Sequence, residues 1–415
     1  MSFRNCGESR PGLEWFLTAG LAICLMIGCG KVPTWNELTS GSSTSAPAQT
    51  IPPSNQLIQP QAGSPARPAA PVEDPGQVLA WFKTVHPMQI NDQAVARLTA
   101  ISSGLESVTS INAEGGMITD QGLALLEKLP ALQTLSLSGT PVTNEGVKAL
   151  QRVPSLQSLA LNSTRISEAG LVSLALLPNL KHLELMGCHL SPADFTAIGK
   201  LPTLESLVLN RVGELNDEGL DLVCEASTLK SLQLNDCFSL TDKGLVALAK
   251  APGLEELSIC RGTITGVGIG GAMTKGGLKV LKQLAVSGDP INLPGARAIN
   301  NLKTLEILDI SHIQGMNDVF LIEFIEGLKN LKDLNIEDSK GVYGGSFAKM
   351  KVNAGSLEIV HAQNTNLSDQ GLGLLRNHKK LKFIDVSNTN VTQMGVQQFK
   401  KLIPSCELLY AGIRY

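Results

Sequence analysis

The segment Gly266-Val267-Gly268-Ile269-Gly270-Gly271 has the G-x-G-x-x-G spacing, follows an expected strand at Leu257–Ile259, and has Asp289 eighteen residues beyond it. Glycines so spaced let backbone N–H groups approach a pyrophosphate, and an acid at that remove would hold a ribose hydroxyl. That chemistry needs the turn directly at a strand end and a switch in strand order. This segment falls instead where the neighbouring stretches of chain carry a turn and a helix, so no dinucleotide is expected. Its six glycines between Gly266 and Gly277 predict a poorly formed helix. The histidines (His86, His182, His189, His312, His361 and His378) are scattered without H-E-x-x-H, and neither C-x-x-C nor G-x-S-x-G occurs. Metal binding, dithiol chemistry and a serine nucleophile each lack the spacing they need. No catalytic residue, metal or cofactor is expected.

The elements that would position any site are repeats. Leu132-x-x-Leu135-x-Leu137 recurs from Leu156, Leu180, Leu204, Leu229, Leu254, Leu281, Leu305, Leu331, Leu357 and Leu381, with degenerate copies at Val108 and Cys406. Successive starts lie 24 to 27 residues apart, a period that signals a solenoid. Each unit has a second half such as Ile118-Thr119-Asp120-Gln121-Gly122-Leu123, Val142-Thr143-Asn144-Glu145-Gly146-Val147, Ile166-Ser167-Glu168-Ala169-Gly170-Leu171 or Leu240-Thr241-Asp242-Lys243-Gly244-Leu245. The Thr or Ser is suited to cap a helix, and apolar residues four and seven positions on give that helix one inward face. Pro130, Pro154, Pro178 and Pro202 then stop four successive helices. The unit therefore reads as a short strand, a turn and a helix.

On these residues the chain resembles the leucine-rich repeat family. Asn235-Asp236-Cys237-Phe238-Ser239-Leu240-Thr241-Asp242, with Cys188 in the same column as Cys237, is similar to the cysteine-containing repeats of F-box substrate adaptors and of many bacterial surface proteins. The resemblance implies an α/β solenoid of about 12–13 repeats, curved, with a parallel sheet on its concave face, helices on its convex face, and binding by the concave side. Residues 108–415 would form this domain. The stretch Ile90–Leu98 matches the helical half alone, so 76–107 would be an N-terminal half-repeat cap. Cys188, Cys224, Cys237, Cys260 and Cys406 read as small buried apolar residues, because same-column positions two repeats apart lie about 10 Å from each other, too far for a disulfide.

Along a strand side chains alternate, so the leucines enter the core and the third, fifth and seventh residues of each unit face solvent. In the N-terminal half these are small and nearly neutral. From Leu305 onward they become Ile307, Asp309, Ser311; Asp333, Asn335, Glu337; Ile359, His361, Gln363; and Phe383, Asp385, Ser387, with no Lys or Arg among them. Apolar groups rimmed by charge mark interaction sites. Ile307, Asp309, Asp333, Glu337, Ile359, His361, Phe383 and Asp385 are accordingly the expected ligand-binding residues. His361 should stand one strand from Asp385 in the same column, which would make binding pH-sensitive.

Ahead of the repeats, Trp15–Ile27 is an apolar run of 13 residues ending in Leu25-Met26-Ile27-Gly28-Cys29-Gly30, which resembles a bacterial lipobox. The resemblance implies a signal peptide over 1–28 and acylation of Cys29. Residues 31–75 hold nine prolines among Ser, Ala and Gln, and too little apolar surface to fold, so 29–75 would be a lipidated cysteine and a disordered tether. The whole chain of 415 residues has 34 Lys and Arg against 37 Asp and Glu, a net charge of -3, which lacks the footprint of a nucleic-acid binder.

Together these features suggest a lipid-anchored binding module of the cell envelope, or a secreted one, taking a protein, peptide or glycan on its concave face. Two alternatives remain: the substrate-recognition, F-box-like subunit of a ubiquitin ligase, and a structural envelope protein. The first alternative needs a helical docking domain that residues 31–87 are too Pro-rich to form.

Overall fold

The computed structural model describes residues 74–415, apart from residue 354 and the side chains of 351–353. Cys29, the signal segment 1–28 and the tether as far as residue 73 lie outside the described residues. Thirteen units each contribute one strand: β1 Ser110–Asn112, β2 Thr134–Ser136, β3 Ser158–Ala160, β4 His182–Glu184, β5 Ser206–Val208, β6 Ser231–Gln233 and β7 Glu256–Ser258. They continue as β8 Gln283–Ala285, β9 Ile307–Asp309, β10 Asp333–Asn335, β11 Ile359–His361, β12 Phe383–Asp385 and β13 Glu407–Tyr410, and a short β14, Ile413–Arg414, closes the end. All fourteen strands form one sheet in sequence order, parallel throughout except for the antiparallel β13–β14 pair.

The register is in phase from unit to unit: Leu135 pairs with Leu159, Leu159 with Leu183, and Leu183 with Leu207. The middle residue of each three-residue strand is buried and its neighbours, Ser231 of β6 apart, are at least partly open to solvent. The leucines thus form continuous columns in a single core that runs the length of the array. Strands stack about 4.8 Å apart, whereas packed helices need 8–10 Å. One strand and one helix per unit therefore bend the array with the sheet inside. The chain is an α/β leucine-rich repeat solenoid.

The helices explain the Thr-Asp-x-Gly pattern more fully than capping alone. Thr119, Thr143 and Thr241 cap their helices as expected. Ser167 does not; its hydroxyl accepts from Asn144 Nδ2 instead. The acid after the cap works across the unit boundary. Asp120 accepts from the backbone N–H and hydroxyl of Thr143 at 2.8 and 2.6 Å, and Asp217 does the same for Thr241, Asp242 for Thr265 and Asp369 for Thr392. Asp92, ahead of β1, reaches Thr119 in the same manner, and also the N–H of Gly122. The glycine leaves room for this carboxylate: a β-carbon at Gly146 would stand 2.3 Å from Asp120 Oδ1, and one at Gly244 2.5 Å from Asp217 Oδ1. Each acid thereby satisfies donors at the positive N-terminus of the next helix. Asp217→Ala is expected to cost about 1–2 kcal/mol in urea unfolding, the loss of charge-assisted bonds at a partly exposed site; no change would show that the leucine columns alone hold the units in register.

The G-x-G-x-x-G segment departs from expectation. Val267–Thr274 is a regular helix, not a poorly formed one. A β-carbon at Gly268 would lie 2.1 Å from Asp242 O, and one at Gly271 2.8 Å from Val246 Cγ2, so the glycines permit a close approach between neighbouring units that outweighs their low helix propensity. The longer spacing of this unit is absorbed just beyond the helix, where Gly276 adopts φ +90° and Leu278 φ +58°.

Ahead of β1 stand helix Asp92–Thr99, capped by Asn91, and helix Pro75–Thr84, which has no counterpart in the repeat pattern. Pro75 occupies the first helical position behind the cap Asp74, where its missing N–H costs nothing. Arg97 lies 5.2 Å over the Trp81 ring and ties the two helices together. The five cysteines after residue 74 are buried and unpaired. Burial pushes the Cys224 and Cys260 thiols up to about 12 and the Cys237 and Cys406 thiols up to about 11, which leaves them protonated and unreactive.

Candidate functional site

The floor of the sheet over β9–β12 gathers seven of the eight expected binding residues, in two columns. The third-position column runs Ile307, Asp333, Ile359, Phe383, and the fifth runs Asp309, Asn335, His361, Asp385. Glu337 stands apart in the seventh, at the sheet margin, where it accepts from Gln363 Nε2 at 2.8 Å. All eight are half-buried, since each side chain leans on those of the adjacent strands.

Three carboxylates share this floor, Asp309, Asp333 and Asp385, but they are not equivalent. Asp309 Oδ1 accepts from the backbone N–H and hydroxyl of Ser311 at 2.9 and 2.6 Å, and Asp385 Oδ1 accepts from the Ser387 N–H at 2.8 Å. These bonds satisfy a turn donor that three units nearer the N-terminus meet differently. There Asn162 accepts from Met186 N, Asn210 from Asn235 N, and Asn235 from Cys260 N, each at 2.8 Å and each from one repeat to the next. Asp309 and Asp385 therefore carry part of the turn architecture, and their capacity for a ligand is correspondingly reduced.

Asp333 has no such duty. It pairs in register with Ile307 on one side and Ile359 on the other. Burial raises its carboxyl above the usual range, His361 opposes that rise, and Asp309 adds to it. His361 Nε2 lies 3.7 Å from Asp333 Oδ1, with side-chain exposures of 31 and 20%. The histidine does stand opposite Asp385 in the ladder, yet the acid it meets is the diagonal one. Its ring is tilted against Phe383 with centroids 5.8 Å apart. Asp333, His361 and Phe383, flanked by Ile307 and Ile359, make a continuous surface of one acid, one imidazole and three apolar groups.

A third feature lies along the strand entrances, in the second position of each unit. Lys181, Glu205, Lys230, Glu255, Lys282, Glu306, Lys332, Glu358, Lys382 and Glu407 alternate strictly through ten units. Neighbours pair: Lys181–Glu205 at 3.2 Å, Lys230–Glu205 at 2.8 Å, and Lys282–Glu255, Lys332–Glu306 and Lys382–Glu358 at 2.6 Å. A shallow recess of about 450 Å³ opens beside Lys181, Glu205 and Lys230. The ladder neutralises this rim and leaves the floor's negative charge as the distinguishing field of the C-terminal half. The signal was present in the sequence as a column twenty-odd residues in period, invisible in any contiguous stretch.

The former dinucleotide candidate is filled by the protein itself. Asp242 Oδ1 accepts from the Gly268 N–H at 2.8 Å at the start of the glycine helix, where a phosphate would have to sit. Asp289 is buried in the ninth-position column, accepting from the Gly262 N–H at 2.7 Å, and does not reach toward that helix start from solvent.

Residues 123–274 match a family model described as FBD-associated F-box protein At5g56370, LRR repeats. The chain is 35% identical over 114 residues to Protein PAC2 of Saccharomyces cerevisiae, a stretch covering 26% of this chain and 21% of that protein, so it spans about a fifth of the length of this curated relative. Among solved structures it is similar to an internalin (inlF) from Listeria monocytogenes at 17% identity, covering 81% of this chain and 93% of that one with a TM-score of 0.45. It is likewise similar to TLR13 in a TLR13–ssRNA13 complex, at 17% identity, covering 77 and 57% of the two chains with a TM-score of 0.48. The repeats of this chain are leucine-rich repeats.

Proposed function

We propose that this chain is a non-catalytic binding module that takes a protein or peptide on the sheet floor over β9–β12. The observation that carries the reading is the surface built from Ile307, Asp333, Ile359, His361 and Phe383 on a floor without Lys or Arg. Its occupant would be an extended segment with a basic group for Asp333 and apolar groups for the flanking side chains, because a half-buried acid between two isoleucines gains most from a partner that replaces lost water with a cation. An aliphatic and aromatic patch favours a peptide over a glycan, and the sign of the floor disfavours nucleic acid.

Since Asp385 also holds the Ser387 N–H, the cleaner test replaces Asp333 and Phe383. The full chain and its Asp333→Asn/Phe383→Ala variant are immobilised, and capture of proteins from envelope extract is compared. At equal melting temperature the variant is expected to lose specific partners at least about ten-fold, as loss of a central anchor does. Undiminished capture of every partner would move the site elsewhere.

The same proposal places the module in the cell envelope, held by acyl chains on Cys29. Labelled fatty acid is expected to enter the wild type and not Cys29→Ser; equal labelling of both would refute the anchor, leaving secretion as the alternative. The match to F-box-associated repeats favours a second reading, in which the array selects substrates for a ubiquitin ligase. Co-purification of a ligase core with the full chain would support it and count against an envelope location.

A further inference from the structure

The floor over β9–β12 carries the carboxylates of Asp309, Asp333 and Asp385 beside one imidazole, His361. Imidazole is the side chain whose charge ordinarily changes between about pH 5 and 8. His361 Nε2 stands 3.7 Å from Asp333 Oδ1, and Phe383 packs against the other side of its ring. At that separation an imidazolium pairs with the carboxylate, whereas a neutral ring leaves the carboxylate's charge uncompensated.

The other charged groups around this pair have partners of their own. Asp309 on β9 is held by the N–H and hydroxyl of Ser311, Asp385 on β12 by the Ser387 N–H, and Glu337 beyond β10 by Gln363. At the strand entrances Lys332 pairs with Glu306 and Lys382 with Glu358. Burial raises the Asp333 carboxyl, His361 alone of these groups opposes the rise, and Asp309 adds to it. The occupant of the floor brings a cation to Asp333, and a carboxylate already paired with an imidazolium offers it less. The incoming cation must also approach His361 closely, where like charges repel in a half-buried setting. Acidification thus works against the occupant twice, and proton uptake by Asp333 itself acts in the same direction.

With the floor as the binding site, on which this rests, we propose that His361 makes capture pH-dependent: Asp333 holds a basic segment while the imidazole is neutral, and the protonated imidazole takes the carboxylate for itself and releases the segment. Fluorescence polarisation of the full chain with a labelled peptide of alternating Lys and Leu, at constant ionic strength, tests this at about pH 7.5 and about pH 5.5, within the ordinary imidazole range. The wild type is expected to bind at least about five-fold more weakly at the lower pH. His361→Gln should match the wild type at the higher pH and keep most of that affinity at the lower one. His361→Lys, which fixes a cation there, should bind weakly at both, as should Asp333→Asn, with melting curves confirming that each variant is folded at both values. Equal binding by the wild type at the two values, or a His361→Gln variant that loses as much on acidification as the wild type does, would overturn the pH control; the floor site would stand if Asp333→Asn still weakens binding at the higher pH. Binding indifferent to Asp333→Asn, or none at millimolar peptide, would overturn both.

Discussion

Gly371→Ala is expected to destabilise the array by about 1–3 kcal/mol, whereas Gly373→Ala, two residues along the same helix, is expected to stabilise it by about 0.5–1 kcal/mol. Helix propensity alone predicts that both stabilise, since each replaces the more entropically costly residue within Asp369–Leu374. The surroundings separate them. A β-carbon at Gly371 would stand 2.1 Å from Tyr343 O and 2.9 Å from the Gly344 α-carbon, backbone of the preceding unit that can yield only if the two units part. At Gly373 nothing lies within 4 Å. Urea unfolding of the two variants at one pH measures the difference directly. Equal and favourable shifts would mean that neighbouring units are not in the close contact described, and that their register rests on the leucine columns alone.

The second large effect is electrostatic. Asp289 is 1% exposed in a column that elsewhere holds Thr140, Thr164, Cys188, Cys237, Thr365 and Thr389, several of which donate to a backbone carbonyl. Its Oδ1 accepts from Gly262 N while Oδ2 is buried without a hydrogen-bond partner. Burial pushes the carboxyl up to about 7, against the Gly262 and Ile264 N–H groups that favour the charged form. A folded-state value above the unfolded one means that the native protein holds the proton more tightly. Stability therefore falls as pH rises from about 4, where the unfolded chain ionises first, and levels off above about 7, where both states are charged. The displacement from the usual 3.8 corresponds to about 4 kcal/mol. Asp289→Asn keeps the acceptor and supplies a permanent donor, so it should match the wild type within about 1 kcal/mol at pH 4, exceed it by up to about 4 kcal/mol at pH 8, and lose most of the slope between. An unchanged slope in the variant would mean that other groups set the pH dependence.

The leucine columns were legible because burial repeats at a fixed place in every unit, and one strand's alternation states which side is inward. The bonds between units were not. Thr119, Thr143 and Thr241 could be recognised as caps from their own helices, but the residue beside each cap, Asp120, Asn144 or Asp242, serves a residue 23 positions further on, a pairing that local sequence does not display. The same distance hid the alternation of Lys181 through Glu407. On the floor, column position placed Asp309, Asp333 and Asp385 together, yet it could not tell that two of them bond a turn N–H while the third faces His361. Composition misread the glycine helix at Val267–Thr274 because propensity was weighed without the neighbouring unit that the glycines accommodate.

The claim that the floor over β9–β12 receives the partner is tested most directly by site-specific photo-crosslinking in the cell of origin, with the full chain carrying a benzophenone side chain at one position at a time. Phe383 and Ile359 report on the floor, and Val172, 53% exposed on the helical side of its unit, serves as the reference. The account predicts discrete adducts of the same mass from Phe383 and Ile359, lost on Asp333→Asn, and none of that mass from Val172. The same adduct from Val172, or an adduct from Phe383 indifferent to Asp333, would contradict it.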